Sequence, residues 1–131
     1  MKRTDWSFPE KPYEIRERLL NFAAASVRLV QYLHTRGKIA AELSKQILTA
    51  SNSAGANYEE ADDGSSARDR LAKRRIALRE MKETNFRLRV LRKAGYLTEE
   101  HDPVIQESFE LKRILATIVR NSDASRARDD E

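Results

Sequence analysis

The chain has 131 residues, 25 Lys and Arg against 21 Asp and Glu, and a net charge of +4. With no Cys at all, disulfides, thiolate metal sites and Cys nucleophiles are excluded. Gly and Pro, four and three in number, are too few for the many turns of an all-β fold, and no apolar run approaches the ~18 residues of a membrane span.

Residues 1–12 read as an irregular arm, broken by Pro9 and Pro12, with Pro12 placed as a first helical residue. The start of the chain lacks the apolar segment of a signal peptide, which points to a cytoplasmic protein. From Tyr13 to Thr35, Ile15, Leu19, Phe22, Ser26, Leu29 and Leu33 recur at helical steps, and Leu20, Ala23, Val27 and Val30 widen the stripe. Gly37 stops that helix. A second runs over 38–62, with Leu43, Ile47, Ala50, Ala54, Asn57 and Ala61 on one seam. Ser66 with Asp69 then marks an N-cap. The third helix, 67–94, carries Ala77, Met81, Thr84, Leu88 and Leu91 inward and ends at Gly95. Asp102-Pro103 starts the fourth, which holds Val104, Leu111, Leu115 and Ile118, flanked by Ile105, Phe109, Ile114 and Val119, and fades near Asn121. Residues 122–131 show no periodicity and read as a disordered acidic tail. The architecture expected is all-α, an up-down-up-down antiparallel four-helix bundle over residues 13–121.

The run Gln46-Ile47-Leu48-Thr49-Ala50-Ser51-Asn52-Ser53-Ala54-Gly55-Ala56-Asn57-Tyr58-Glu59-Glu60-Ala61 resembles the second-helix signature of the 23S rRNA intervening-sequence proteins, Ser-x-x-Ala-Asn-x-x-Glu-Ala, at Ser53, Ala56, Asn57, Glu60 and Ala61. Ala77 to Leu88 is similar to that family's third-helix segment, and Tyr13-Glu14-Ile15-Arg16 and Leu111-Lys112-Arg113-Ile114-Leu115 fit its first and last helices. The chain departs where the family has Arg-Ser (Thr49-Ala50 here) and Tyr-Trp (Phe86-Arg87 here). The resemblance implies a small bacterial four-helix protein that assembles into a ring-shaped homopentamer, with no established biochemical role.

Little in the chain suggests chemistry. Neither His34 nor His101 has a Glu three residues before it, as a carboxylate-bridged metal site requires. Both read as solvated, and no metal or other cofactor is expected. Gly-x-Ser-x-Gly and phosphate-binding Gly loops are absent, so no catalytic residue is assigned. Asn57, Glu60, Glu80, Glu83 and Thr84 are placed to form a polar layer between helices two and three, read as a register-fixing network rather than a small-molecule site. The small residues around Gly55 imply a close helix contact, within the subunit or between subunits.

Charge is the outstanding signal. Arg68 to Lys93 holds eight Arg and three Lys against Asp69, Glu80 and Glu83, a net +8 on one helix. Arg70, Lys73, Arg74, Arg75, Arg79, Lys82, Arg87 and Arg89 are the candidate nucleic-acid contacts, since guanidinium forks suit phosphates. The plain alternative is a solvated face paired with acids such as Glu14, Glu17, Glu107 and Glu110. The reading is a non-catalytic, self-associating module that binds RNA or DNA backbone through its third helix. The other reading is a scaffold that recognises a protein. Trp6 and Phe8 in the arm are expected to pack, on the chain's own bundle or on a neighbouring subunit.

Overall fold

The computed structural model describes residues 6–8, 14–63 and 66–129, with side chains described through Ser125. The expectations placed on Pro9, Pro12 and Tyr13 lie outside the described residues. The described residues form four helices, α1 (Ile15–His34), α2 (Lys38–Asp62), α3 (Ala67–Lys93) and α4 (Asp102–Asp129), with a 3-10 turn at Glu99–His101. Each helix packs on the next, and α4 returns to α1, closing an up-down-up-down bundle.

The local signals explain most boundaries. The Ser66 hydroxyl accepts the Asp69 N–H at 3.1 Å, capping α3. Its other end closes in a Schellman motif. The Tyr96 N–H reaches the Leu91 carbonyl at 3.0 Å and the Gly95 N–H reaches Arg92 at 3.2 Å. Gly95 has φ +89°, a conformation that side chains with a Cβ rarely adopt. The fourth helix begins differently from the expected Asp102 cap. The cap sits earlier, at Thr98, whose N–H donates to His101 Nδ1 at 3.0 Å while the His101 N–H donates to the Thr98 carbonyl at 2.9 Å. Asp102 is instead engaged by Arg92 at 2.9 Å.

The other difference is the tail. The segment from 122, expected to lack structure, continues α4 to Asp129. Two contacts hold its start against α3. Arg74 Nη1 donates to the Ser122 hydroxyl at 3.1 Å, and Arg75 pairs with Asp123 at 2.9 Å. No Gly or Pro interrupts the chain there.

Leu19, Phe22, Leu29, Leu33, Ile47, Met81, Leu88, Leu91, Leu111 and Leu115 are fully buried at the bundle's centre. Each side chain of this size stabilises the fold by ~1.5–3 kcal/mol before entropy is charged against it. The wider apolar stripe expected on α1 does not hold: Val30 is buried, but Leu20 and Val27 are exposed. Three buried polar links join the helices. Ser51 donates to Ser26 at 2.7 Å between α2 and α1, and Asn85 donates to Ser108 at 2.9 Å between α3 and α4. Arg18 of α1 grips the buried Glu107 of α4 through both nitrogens of its fork, at 3.1 and 2.7 Å, and reaches Glu110 at 3.0 Å.

Candidate nucleic-acid interface

The eight cations proposed from sequence separate into two groups on α3. Arg70, Lys73, Arg74 and Arg87 lie on its inner flanks. Arg74 is the most committed: it bonds Ser122, pairs with Asp62 at 3.4 Å and lies over the Tyr58 ring, 5.8 Å from its centroid. Lys73 pairs with Glu60 of α2 at 3.5 Å. Arg70 shares a cleft with Arg74, Asn121 and Ser122 between the start of α3 and the far end of α4. Arg87 is half-buried in the wall of a groove between α2 and α3, its Nε buried with no hydrogen-bond partner among the described residues.

Arg75, Arg79, Lys82 and Arg89 form the second group. They stand exposed on the outer face, and Lys93 continues their line. Their spacing, with Phe86 included, runs 75, 79, 82, 86, 89, 93. Alternating steps of four and three keep all six on one side of a helix. From Arg75 to Lys93 the stripe rises 18 residue steps, ~27 Å along the axis. Arg75 and Arg79 do have acidic neighbours, Asp123 at 2.9 Å and Glu80 at 3.7 Å. Both pairs have a half-exposed or more exposed arginine, 50% and 64%, and such pairs hold by only ~0–1 kcal/mol, so a phosphate competes readily. Arg89 is held more firmly. Its Nε donates to Asn85 Oδ1 at 3.0 Å, and Asn85 is itself fixed by Ser108. The guanidinium thus lies over Phe86, 5.7 Å from the ring centroid. Sequence reasoning left Lys93 and Phe86 out of the site; the four-three spacing was the signal that includes them.

The acids that balance α3 are not those expected. Glu107 and Glu110 are taken by Arg18, whereas Asp62, Glu60, Asp102 and Asp123 serve the α3 cations. The polar layer between α2 and α3 does not assemble either. The Asn57 amide donates back to the Ser53 carbonyl at 2.9 Å, and the Thr84 hydroxyl donates to the Glu80 carbonyl at 2.8 Å. Both bonds stay within one helix, where these short side chains find a backbone carbonyl one turn away. Glu60 and Glu83 are exposed, and Glu80 turns to Arg79.

Trp6 and Phe8 pack on their own chain. Trp6 is 9% exposed, edge-on to Tyr32 at 6.2 Å and 5.2 Å from His101, and Phe8 stacks on Phe22 at 6.4 Å. His101, expected in solvent, is wholly buried in this cluster. The solvent-exposed His34 donates from Nδ1 to the Val30 carbonyl at 2.8 Å. Among the described residues no group of three or more His, Asp or Glu is placed to hold a metal ion, and no helix is long and apolar enough to cross a membrane.

Fold and surface together define a class: a small antiparallel helical bundle whose charge is concentrated on the outside of one helix. Within it, the chain belongs to the 23S rRNA-intervening sequence protein family, whose model matches residues 11–117. The chain is similar to a crystal structure from Bacteroides thetaiotaomicron VPI-5482, a protein of unknown function from the S23 ribosomal protein family. The two are 31% identical, with 81% of this chain and 98% of that one covered and a TM-score of 0.73. No curated protein matches the chain.

Proposed function

We propose that this protein is a non-catalytic, cytoplasmic, self-associating module that binds the phosphate backbone of RNA or DNA through the outer face of α3. The observation that carries the reading is the single exposed line of Arg75, Arg79, Lys82, Arg89 and Lys93 on a helix of net charge +8. Such a line reads charge and spacing, not base edges, so binding is insensitive to sequence and sensitive to salt. Self-association, in the five-subunit ring implied by the family resemblance, repeats the line and multiplies weak contacts.

The test is fluorescence anisotropy against labelled RNA and DNA at two salt concentrations. Five phosphate contacts per subunit give a slope of about −3.5 in log K against log salt on single strands. Reversing Arg79, Lys82 and Lys93 to Glu abolishes binding and leaves the helical circular dichroism intact, because all three are exposed and none, among the described residues, ties α3 to another helix. Arg74 and Arg75 are omitted from that variant because they tie α3 to α4. Undiminished affinity in the triple variant removes this face as the site.

The scaffold reading has one observation in its favour. Leu20 and Val27 are 57% and 42% exposed. Leu20 borders an open groove between α1 and α2 floored by Ala23, Gly55 and Ala56. We assign this surface to self-association rather than to a foreign partner.

A further inference from the structure

The outer stripe of α3 contains one residue that phosphate binding does not explain. Phe86 occupies the middle of the line and is 58% exposed. Lys82 precedes it by four residues and Arg89 follows it by three, so cations flank the ring about one helical turn (~5 Å) on either side. Arg89, anchored by Asn85, lies over the ring at 5.7 Å. Beside the ring a groove of about 170 Å³ runs between α2 and α3, walled by Leu43, Arg87, Val90 and Leu91.

We propose that the strand taken by this face is unpaired, with a base stacked on Phe86 while its neighbouring phosphates lie on Arg79, Lys82, Arg89 and Lys93. The inference rests on the phosphate-binding reading above and narrows its ligand. A duplex keeps its bases stacked inside and presents phosphates outside, so an exposed apolar ring in the track gains nothing from it. An unpaired strand offers π-faces between successive phosphates, and aromatic rings among cations are how such strands are held without sequence preference. The guanidinium over Phe86 adds a second flat surface in register with the ring. Charge also argues against a second copy laid symmetrically on this face, because the two cationic lines would then oppose each other.

The experiment compares a short oligouridine RNA with an RNA duplex of the same length. Anisotropy titrations use the full-length wild type, Phe86→Ala, Phe86→Trp and the triple charge reversal, with sedimentation equilibrium run on each. The expected result is tighter binding to the single strand, weakened ~10- to 100-fold by Phe86→Ala with duplex affinity moved less than ~2-fold. Phe86→Trp keeps the affinity, and its added fluorescence is quenched by the stacked base, against the wild-type signal of Trp6 as baseline. If Phe86→Ala binds the single strand as wild type does, or loses both ligands equally, while the triple reversal still abolishes binding, stacking is overturned and backbone binding survives. If the wild type binds neither ligand, both readings are overturned. A Phe86→Ala protein lighter than wild type in the centrifuge would place a second copy on the ring and also overturn the proposal.

Discussion

His101 is the residue where local chemistry departs most from its place in the sequence. It stands between Glu100 and Asp102, yet its ring is wholly buried, 4.7 Å from Tyr32 and 5.2 Å from Trp6. Nδ1 accepts the Thr98 N–H, which puts the neutral ring's proton on Nε2, 3.8 Å from Glu100 Oε1. A second proton must therefore go to Nδ1, against a donor. Burial holds the His101 pKa below its ordinary 6.5, outweighing the upward pull of Glu100, the Thr98 backbone and Asp102, and Arg36 lowers it further. A depressed folded-state pKa means the unfolded chain takes up the proton first as pH falls. The contribution to stability is complete above about pH 6.5 and is lost as pH drops through the folded-state value. The urea midpoint should thus fall more steeply between about pH 7.5 and about pH 5.5 in wild type than in His101→Gln, which retains an acceptor for Thr98. Trp6 is the chain's sole Trp, so its emission reports the same event as the arm loosens. Parallel pH profiles for the two proteins would remove His101 as the cause. Gly55 supplies a simpler case. A Cβ there meets Leu19 Cβ at 3.8 Å, an ordinary contact. Gly55→Ala should then raise stability by about 1 kcal/mol in urea melts, through helix propensity alone.

Helices were legible wherever apolar spacing and a breaker agreed. The inner seam of α3 is buried at all five expected positions, Ala77 through Leu91, and Gly95 ends it with the predicted left-handed turn. The misses have two causes: partners distant in sequence, and bonds closed within a single helix. Helix α4 outlasts Asn121 because Arg74 and Arg75 hold Ser122 and Asp123, and no periodicity within α4 encodes that. The polar layer failed because Asn57 and Thr84 could bond within their own helices. Of the eight candidate contacts, four face outward, a division that the sequence reading did not make and that burial in the bundle shows. The Arg18–Glu107 link was wholly invisible, since it joins residues 89 apart. It ties α1 to α4, with the Glu107 side chain only 2% exposed and that of Arg18 11%. Stripping a bidentate partner from so buried a carboxylate costs more than the pair contributes. Arg18→Met is expected to destabilise by about 3 kcal/mol, and adding Glu107→Leu to recover most of that loss. Calorimetric melts of the single and double variants decide it. A double variant as unstable as the single would show that the loss comes from packing, not from the buried charge of Glu107.

At the scale of the molecule, the cationic line with Phe86 runs along the outside of α3, while a second exposed apolar surface lies on α1, where Leu20 borders the groove that α1 makes with α2 and Val27 stands exposed two turns further on. Helices α1 and α3 lie diagonally across the shared core, each backbone adjacent to α2 and α4 and not to the other. A subunit can thus associate through its α1–α2 face and keep its basic line turned outward. Symmetry constrains how. A closed ring with an odd number of subunits requires a heterologous contact, one patch meeting a different patch on the next copy. If the α1–α2 groove is one of those two patches, every interface in the ring uses it once, so damage there is repeated around the assembly. Leu20→Glu with Val27→Glu touches only exposed side chains and leaves the core residues Leu19 and Phe22 in place. That double variant should sediment as a monomer with unchanged helical circular dichroism. Its affinity for single-stranded RNA should fall through lost avidity, while the salt slope settles to the value set by one subunit's contacts. An assembly mass equal to wild type would move the interface elsewhere. A wild type that is itself monomeric would leave the outer cations of α3 to act alone, and then the single-subunit salt slope is the whole of the binding.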